Sequence, residues 1–178
     1  SSRACRAVVA TRLRLGAGSR YDWSITRAAQ WVRDLQSSNG GWAAFDVDNT
    51  YHYLNNIPFA DHGALIDPPT EDVAARCVSM LAQLGERLEE GGPLKRGLHY
   101  LLGTQTKDGS WYGRWGMNYI YGTWSALCAL NAAGLPHDHP ALRKAAAWLV
   151  SIQNEDGGWG EDGDSYKLAY KGHEKAPS

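Results

Sequence analysis

Apolar positions fall three and four apart in six stretches of the chain, about 4–15, 24–37, 70–84, 92–105, 119–133 and 139–153. Each stretch predicts a helix with one buried face. Turn material separates them, in Gly16-Ala17-Gly18-Ser19, Gly91-Gly92-Pro93 and Gly134-Leu135-Pro136-His137. Two connections, Gly40 to Pro69 and Asp108 to Asn118, are too long for turns. Period-two stretches are short and broken, so no strand pattern competes. The pattern predicts an all-α chain of helical hairpins, which stack as an open solenoid or close into an α/α toroid.

Three of these helices carry one phrase in fixed register. It reads Arg27-Ala28-x-x-Trp31-Val32-x-x-x-Gln36-x-x-x-Gly40-Gly41-Trp42, then Arg96-Gly97-x-x-Tyr100-Leu101-x-x-x-Gln105-x-x-x-Gly109-Ser110-Trp111. The third copy is Lys144-Ala145-x-x-Trp148-Leu149-x-x-x-Gln153-x-x-x-Gly157-Gly158-Trp159. A basic residue, an aromatic, a Gln and a Trp at constant spacing mean stacked copies of one supersecondary unit. Gly40, Gly109 and Gly157 read as helix stop signals, supplying left-handed backbone at the helix end. The Trp just beyond can fold back over that end, where the Gln amide can bond free backbone groups. The pairs Gln36/Trp42, Gln105/Trp111 and Gln153/Trp159 are therefore expected to be structural clamps between neighbouring helices.

Composition narrows the class. With 178 residues the chain is long enough for a real core, and a formal net charge of -1 gives no electrostatic case for nucleic acid. Eight Trp and nine Tyr against two Phe suit aromatic clamps or a cavity lined with electron-rich rings. Cys5, Cys77 and Cys128 are odd in number and widely separated, and read as reduced core residues. No apolar run approaches the ~18 residues that a membrane span needs. The six His form no metal-ligand spacing, and His137-x-His139 reads as a solvated loop. No nucleophile elbow, phosphate loop or metal-binding Asp-Asp-x-x-Asp is present, so no metal or cofactor is expected.

The triple repeat resembles the QW motif of the squalene-hopene and oxidosqualene cyclases. The connections are similar to the bacterial squalene-hopene branch: Ser37-Ser38-Asn39-Gly40-Gly41-Trp42-Ala43-Ala44-Phe45-Asp46-Val47-Asp48-Asn49-Thr50, Ile57-Pro58-Phe59-Ala60-Asp61 and Asp67-Pro68-Pro69-Thr70-Glu71-Asp72-Val73. Gly109-Ser110-Trp111-Tyr112-Gly113-Arg114-Trp115-Gly116 and Asn118-Tyr119-Ile120-Tyr121-Gly122-Thr123 also fit, so that the resemblance runs from about residue 20 to the end. It implies that residues 1–178 are part of a catalytic α/α barrel, an incomplete toroid truncated at both ends. The parent would be a monotopic, membrane-associated enzyme on the cytoplasmic side, touching the membrane through parts outside this segment; the segment itself is expected to be soluble. The resemblance also allows a homodimer of the parent.

The implied reaction converts linear squalene to a pentacyclic hopanoid by protonation-initiated cationic polycyclisation. The family's proton donor, Asp-x-Asp-Asp, would fall at or just before Ser1-Ser2, where this chain has no carboxylate. The segment alone is accordingly expected to be inactive and to need the rest of the cyclase chain. Asp46-Val47-Asp48-Asn49 is one residue short of that motif but reads as a turn-forming loop whose carboxylates bond backbone amides.

Asp72 and Arg76 lie four apart on one helical face. The plain reading is a surface ion pair; the resemblance instead makes Asp72 a support of the catalytic acid, with Arg76 where many members have His. Arg cannot release a proton but can polarise an acid. Phe45, Phe59, Trp115 and Tyr121 match positions that face the substrate cavity, where rings stabilise carbocations, and Tyr121 could also bond toward the acid. Two other readings remain open: a non-catalytic repeat scaffold or hydrophobic-ligand binder, and a prenyltransferase β-subunit, for which the zinc ligands are missing.

Overall fold

The structure, a computed structural model, describes residues 20–57, 65–166 and 172–178. Among the described residues five α-helices occupy five of the six predicted stretches: α1 (Asp22–Asp34), α2 (Glu71–Gln83), α3 (Pro93–Gly103), α4 (Asn118–Ala132) and α5 (Pro140–Ser151). The stretch expected at 4–15, with Cys5, lies outside them. Extended pairing among the described residues is confined to isolated bridges, including Gln36 with Trp42 and Asn49 with Asp67. The chain is all-α, as the periodicity predicts.

Local chemistry sets the helix starts. Pro93 and Pro140 open α3 and α5, where a preset φ helps and a missing N–H costs nothing. His139, expected to be a solvated loop residue, caps α5, its Nδ1 accepting the Ala141 N–H at 3.2 Å. Helix α4 has no side-chain cap from Met117 before it, and its free N–H groups turn to a residue far along the chain.

The repeat glycines do not end the helices. Helices α1, α3 and α5 stop at Asp34, Gly103 and Ser151, and the glycines sit in the tight turn that follows. In the first copy Gly40 N–H donates to Ser37 O and Ser37 N–H to Gly41 O, both at 2.9 Å. Gly40, Gly109 and Gly157 have φ of 89°, 108° and 85°, the left-handed region that glycine enters without strain. The turn matters because it reverses the chain and brings the Trp back beside its own helix.

The returning Trp and the Gln then divide the work. Indole Nε1 donates to a carbonyl of the preceding helix: Trp42 to Val32 O at 2.7 Å, Trp111 to Leu101 O at 2.6 Å and Trp159 to Leu149 O at 2.8 Å. Each Gln bonds its own turn, at Gly40 O, Gly109 O and Gly157 O. The first two also reach across, Gln36 to Pro93 O and Gln105 to Ala141 O, both at 2.9 Å. Arg96 completes the first junction by donating to Gln36 Oε1. These bonds tie α1 to α3 and α3 to α5.

Helices α2 and α4 form the layer beneath. They pack chiefly on each other through small side chains, with Ala74, Ala75, Ala126 and Ala129 all fully buried. Gly97 lets the Trp42 ring lie against α3, since a Cβ there would sit 2.6 Å from Trp42 Cζ3. Of the two cysteines described, Cys77 is buried in this core and Cys128 is exposed, which corrects the expectation that all three cysteines are core. Position 128 falls on the outward stripe of α4. Among the described residues no helix is long and apolar enough to cross a membrane.

Candidate functional site

The N-terminal end of α2 is where loops from two repeats converge. Asp67, 1% exposed, lies four residues before that helix. Its carboxylate accepts the backbone N–H of Ala44 at 3.1 Å, Phe45 at 2.5 Å and Asp46 at 2.8 Å. Three such bonds to one carboxylate fix the backbone that presents Phe45. The neighbouring acids are spent on the loop itself. Asp48 accepts from Ser38 N and Oγ, and Asp46 from Asn49 Nδ2. The stretch 46–49 is thus a carboxylate-bonded turn, in which Asp48 bonds a backbone amide as expected and Asp46 bonds a side chain instead.

Asp72 follows in the first turn of α2 and is 1% exposed. Its Oδ2 accepts the Trp115 N–H at 2.9 Å, while Oδ1 is buried with no hydrogen-bond partner among the described residues. Arg76 is one turn on, but the two are not an ion pair: the guanidinium lies over the Trp124 ring at 4.3 Å and the Tyr121 ring at 5.8 Å. Arg76 Nε is likewise buried without a partner among the described residues. The plain reading of a surface pair at i, i+4 is therefore corrected. Burial of Asp72 and the aromatic seat of Arg76 hold them apart.

Aromatic rings surround this pair. Phe45 meets Trp115 edge-on with centroids 5.7 Å apart, and Tyr121 lies 6.3 Å from Trp124. The structure brings Asp72, Arg76, Trp115, Tyr121 and Phe45 together; Phe59 lies outside the described residues. Phe45 and Trp115 are 65% and 43% exposed, so within this chain the rings form one open wall. A cavity of about 640 Å³ lies beside this wall, against Pro69, Glu71, Tyr112, Arg114 and Tyr119, and is lined by none of these predicted residues. It marks the depression between the second long connection and the N-terminal end of α2. The unpartnered acid lies outside that depression.

Sequence reasoning passed over Asp67, Glu71 and Trp124. Trp124 could have been found from its position three residues after Tyr121, on the same helical face. Glu71 is pushed up to about 7, by burial first and then by the neighbouring Asp72 charge. The Tyr100 hydroxyl, which donates to Pro69 O at 2.9 Å, is raised by burial and by Glu71 and Asp72. Two acids adjoin at the N-terminal end of α2, and Glu71 is protonated over much of the range where an ordinary carboxyl is not.

The family described as squalene-hopene cyclase C-terminal domain matches residues 3–178. A squalene–hopene cyclase of Bradyrhizobium diazoefficiens is 66% identical over 158 residues, covering 89% of this chain and 24% of that protein. The enzyme of the same name from Alicyclobacillus acidocaldarius is 45% identical over 122 residues, 68% of this chain and 19% of its own length. A dammaradiene synthase from Dryopteris crassirhizoma is 41% identical over 160 residues, covering 80% of this chain and 23% of the synthase. The chain thus spans about a fifth to a quarter of the length of these relatives. With its repeat turns, its helical layers and a match along nearly its whole length, the chain belongs to the squalene-hopene cyclase C-terminal domain family.

Proposed function

We propose that this chain is part of a catalytic α/α barrel, and that the whole protein cyclises squalene to a pentacyclic hopanoid. The observation that carries this is Asp72: a buried carboxylate with one oxygen bound by Trp115 N–H and the other unpartnered, beside a guanidinium seated on aromatic rings. A buried acceptor of this kind needs a donor, because an unsatisfied charged oxygen costs several kcal/mol. An N–H or O–H group from the rest of the cyclase chain is that donor, and it links Asp72 to a separate protonated carboxyl that serves as the acid. With its carbonyl oxygen facing the Arg76 guanidinium and its O–H facing the substrate, that carboxyl gives its proton to a terminal alkene carbon and is left as a carboxylate, which the guanidinium stabilises. The alkene π electrons form the new C–H bond, and a tertiary carbocation remains for the next alkene to attack.

Phe45, Trp115, Tyr121 and Trp124 present π faces along that path. Each is worth about 1–2 kcal/mol to a desolvated cation, and together they exclude the water that would quench it. Gln36, Trp42, Gln105, Trp111, Gln153 and Trp159, the repeat pairs of the QW type, brace the wall from outside. Phe59, on the same reading, adds a further ring. The parent would associate with a membrane surface on the cytoplasmic side through sequence beyond this segment, and would assemble as a homodimer.

The test is to incubate the purified intact protein with squalene and analyse the extract by gas chromatography and mass spectrometry. A pentacyclic triterpene is expected. A folded protein that retains squalene unchanged would instead favour the hydrophobic-ligand-binding reading, in which the exposed aromatic wall holds a ligand without reacting it.

A further inference from the structure

The segment that follows the third repeat turn reaches back to the loop carrying Trp115. Glu161 accepts the backbone N–H of Asn118 at 3.1 Å and of Tyr119 and Ile120 at 2.9 Å. Its carboxylate thus caps the N-terminus of α4, where charge is stabilised by the helix dipole and where Met117 offers no cap. Ser165, 1% exposed, accepts from Asn118 Nδ2 at 3.2 Å, and Asn118 Oδ1 accepts from Gly113 N–H at 3.3 Å. The Tyr166 hydroxyl then sits among three carbonyls of one loop: Gly113 O at 3.0 Å, Arg114 O at 3.4 Å and Gly116 O. Its ring meets Tyr112 edge-on, with centroids 6.2 Å apart.

On its other side the same loop is pressed against Tyr121. A Cβ at Gly113 or Gly116 would lie 2.7 Å from ring atoms of Tyr121. The loop is therefore held between two tyrosines, and at its centre Trp115 sends its N–H to Asp72. The segment itself is anchored by Asp162 N–H to Glu174 O at 2.8 Å and by the bridge between Glu161 and Lys175.

We infer that Glu161 and Tyr166 are positioning residues: they hold loop 113–116 and the start of α4 so that Trp115 N–H, Asp72 and the Tyr121 ring keep their mutual geometry. This inference rests on the proposed cyclase reading for its effect on turnover, but not for its effect on the loop. Burial, followed by the charges of Asp72 and Glu161, pushes the Tyr166 hydroxyl up to about 12, so it remains a donor at any working pH. Neither residue touches the reacting atoms. Both act through backbone.

The intact protein with Tyr166→Phe and, separately, Glu161→Gln tests this by amide hydrogen exchange and steady-state kinetics. Exchange at Trp115 should quicken in Tyr166→Phe, and at Asn118–Ile120 in Glu161→Gln, while core amides of α2 stay slow. With squalene, kcat should fall about tenfold or more and KM stay within about twofold, because displaced catalytic geometry costs rate more than binding. Incompletely cyclised products should increase, a readout that a general loss of folded protein would not move. Unchanged exchange at Trp115 would overturn the inference, as would activity that falls only in proportion to the folded fraction. Should Glu161→Gln fail to fold, the near-isosteric Tyr166→Phe decides. Should the unmodified protein not turn over squalene, the cyclase reading fails, and Trp115 exchange alone upholds or overturns the positioning role.

Discussion

Trp42 and Trp111 are 1% and 0% exposed, whereas Trp159 is 43% exposed, although all three make the same indole bond to their own helix. The difference lies across the turn. In the first two copies a neighbouring repeat helix stands there, close enough that a Cβ at Gly40 would meet Arg96 O at 2.7 Å and one at Gly109 would meet Lys144 O at 2.8 Å. At Gly157 nothing among the described residues lies within 4 Å of such a Cβ. The turn and its Trp–carbonyl bond are thus local, formed by each repeat for itself, while the burial belongs to the junction. The same repeat Trp is buried where a neighbouring repeat helix covers it and lies open in this chain where no described residue does.

Substitutions at matched positions should reproduce that contrast. Trp111→Ala or Trp42→Ala should cost about 3–5 kcal/mol, as removal of a large buried aromatic does, and Trp159→Ala about 1 kcal/mol. Equal shifts in the denaturant midpoint for Trp111→Ala and Trp159→Ala would break the comparison. Gly109→Ala should cost about 3 kcal/mol, combining left-handed strain with a backbone clash, against about 1 kcal/mol for Gly157→Ala, where only the strain applies.

The junction beneath the first turn also titrates. Glu71 keeps its proton in the folded chain up to about 7, against an ordinary value of 4.5 when unfolded. Between those values the unfolded chain binds fewer protons, so stability falls as pH rises from 4.5 to about 7 and levels off beyond, by about 3 kcal/mol in total. Glu71→Gln should flatten this slope in urea titrations at a series of pH values; an unaltered slope would assign it to another group. Smallest is the effect of the glutamines. Gln105→Ala should cost about 1–2 kcal/mol and Gln153→Ala less than about 0.5 kcal/mol, since only Gln105 bonds the neighbouring helix.

The helices and the repeat are legible in the sequence because their signals are local. An apolar stripe, a Pro at the first position and a Gln–Gly–Trp spacing all act within about a dozen residues. The site is legible only in part. By spacing alone Asp72 and Arg76 read as a surface pair; only the resemblance points to a site. The burial of Asp72 and the rings of Trp115, Tyr121 and Trp124 around the two appear in the structure. Asp67 and Glu161 bind backbone 21 to 43 residues away in sequence, and bonds between distant loops leave no periodic trace. The repeat glycines read as helix ends because a left-handed glycine serves either a helix terminus or a tight turn. The exposed face of Phe45 is a property of what surrounds it, which no local pattern encodes.

Asp72 is the hinge of the functional account, and Asp72→Asn in the intact protein tests it most directly. The amide keeps size and one carbonyl acceptor but removes the charge that would organise the donors around the acid. Steady-state kinetics with squalene should show kcat reduced by about 10²–10³ with KM changed less than about threefold. Turnover equal to that of the unmodified protein would contradict the account and remove Asp72 from the chemistry.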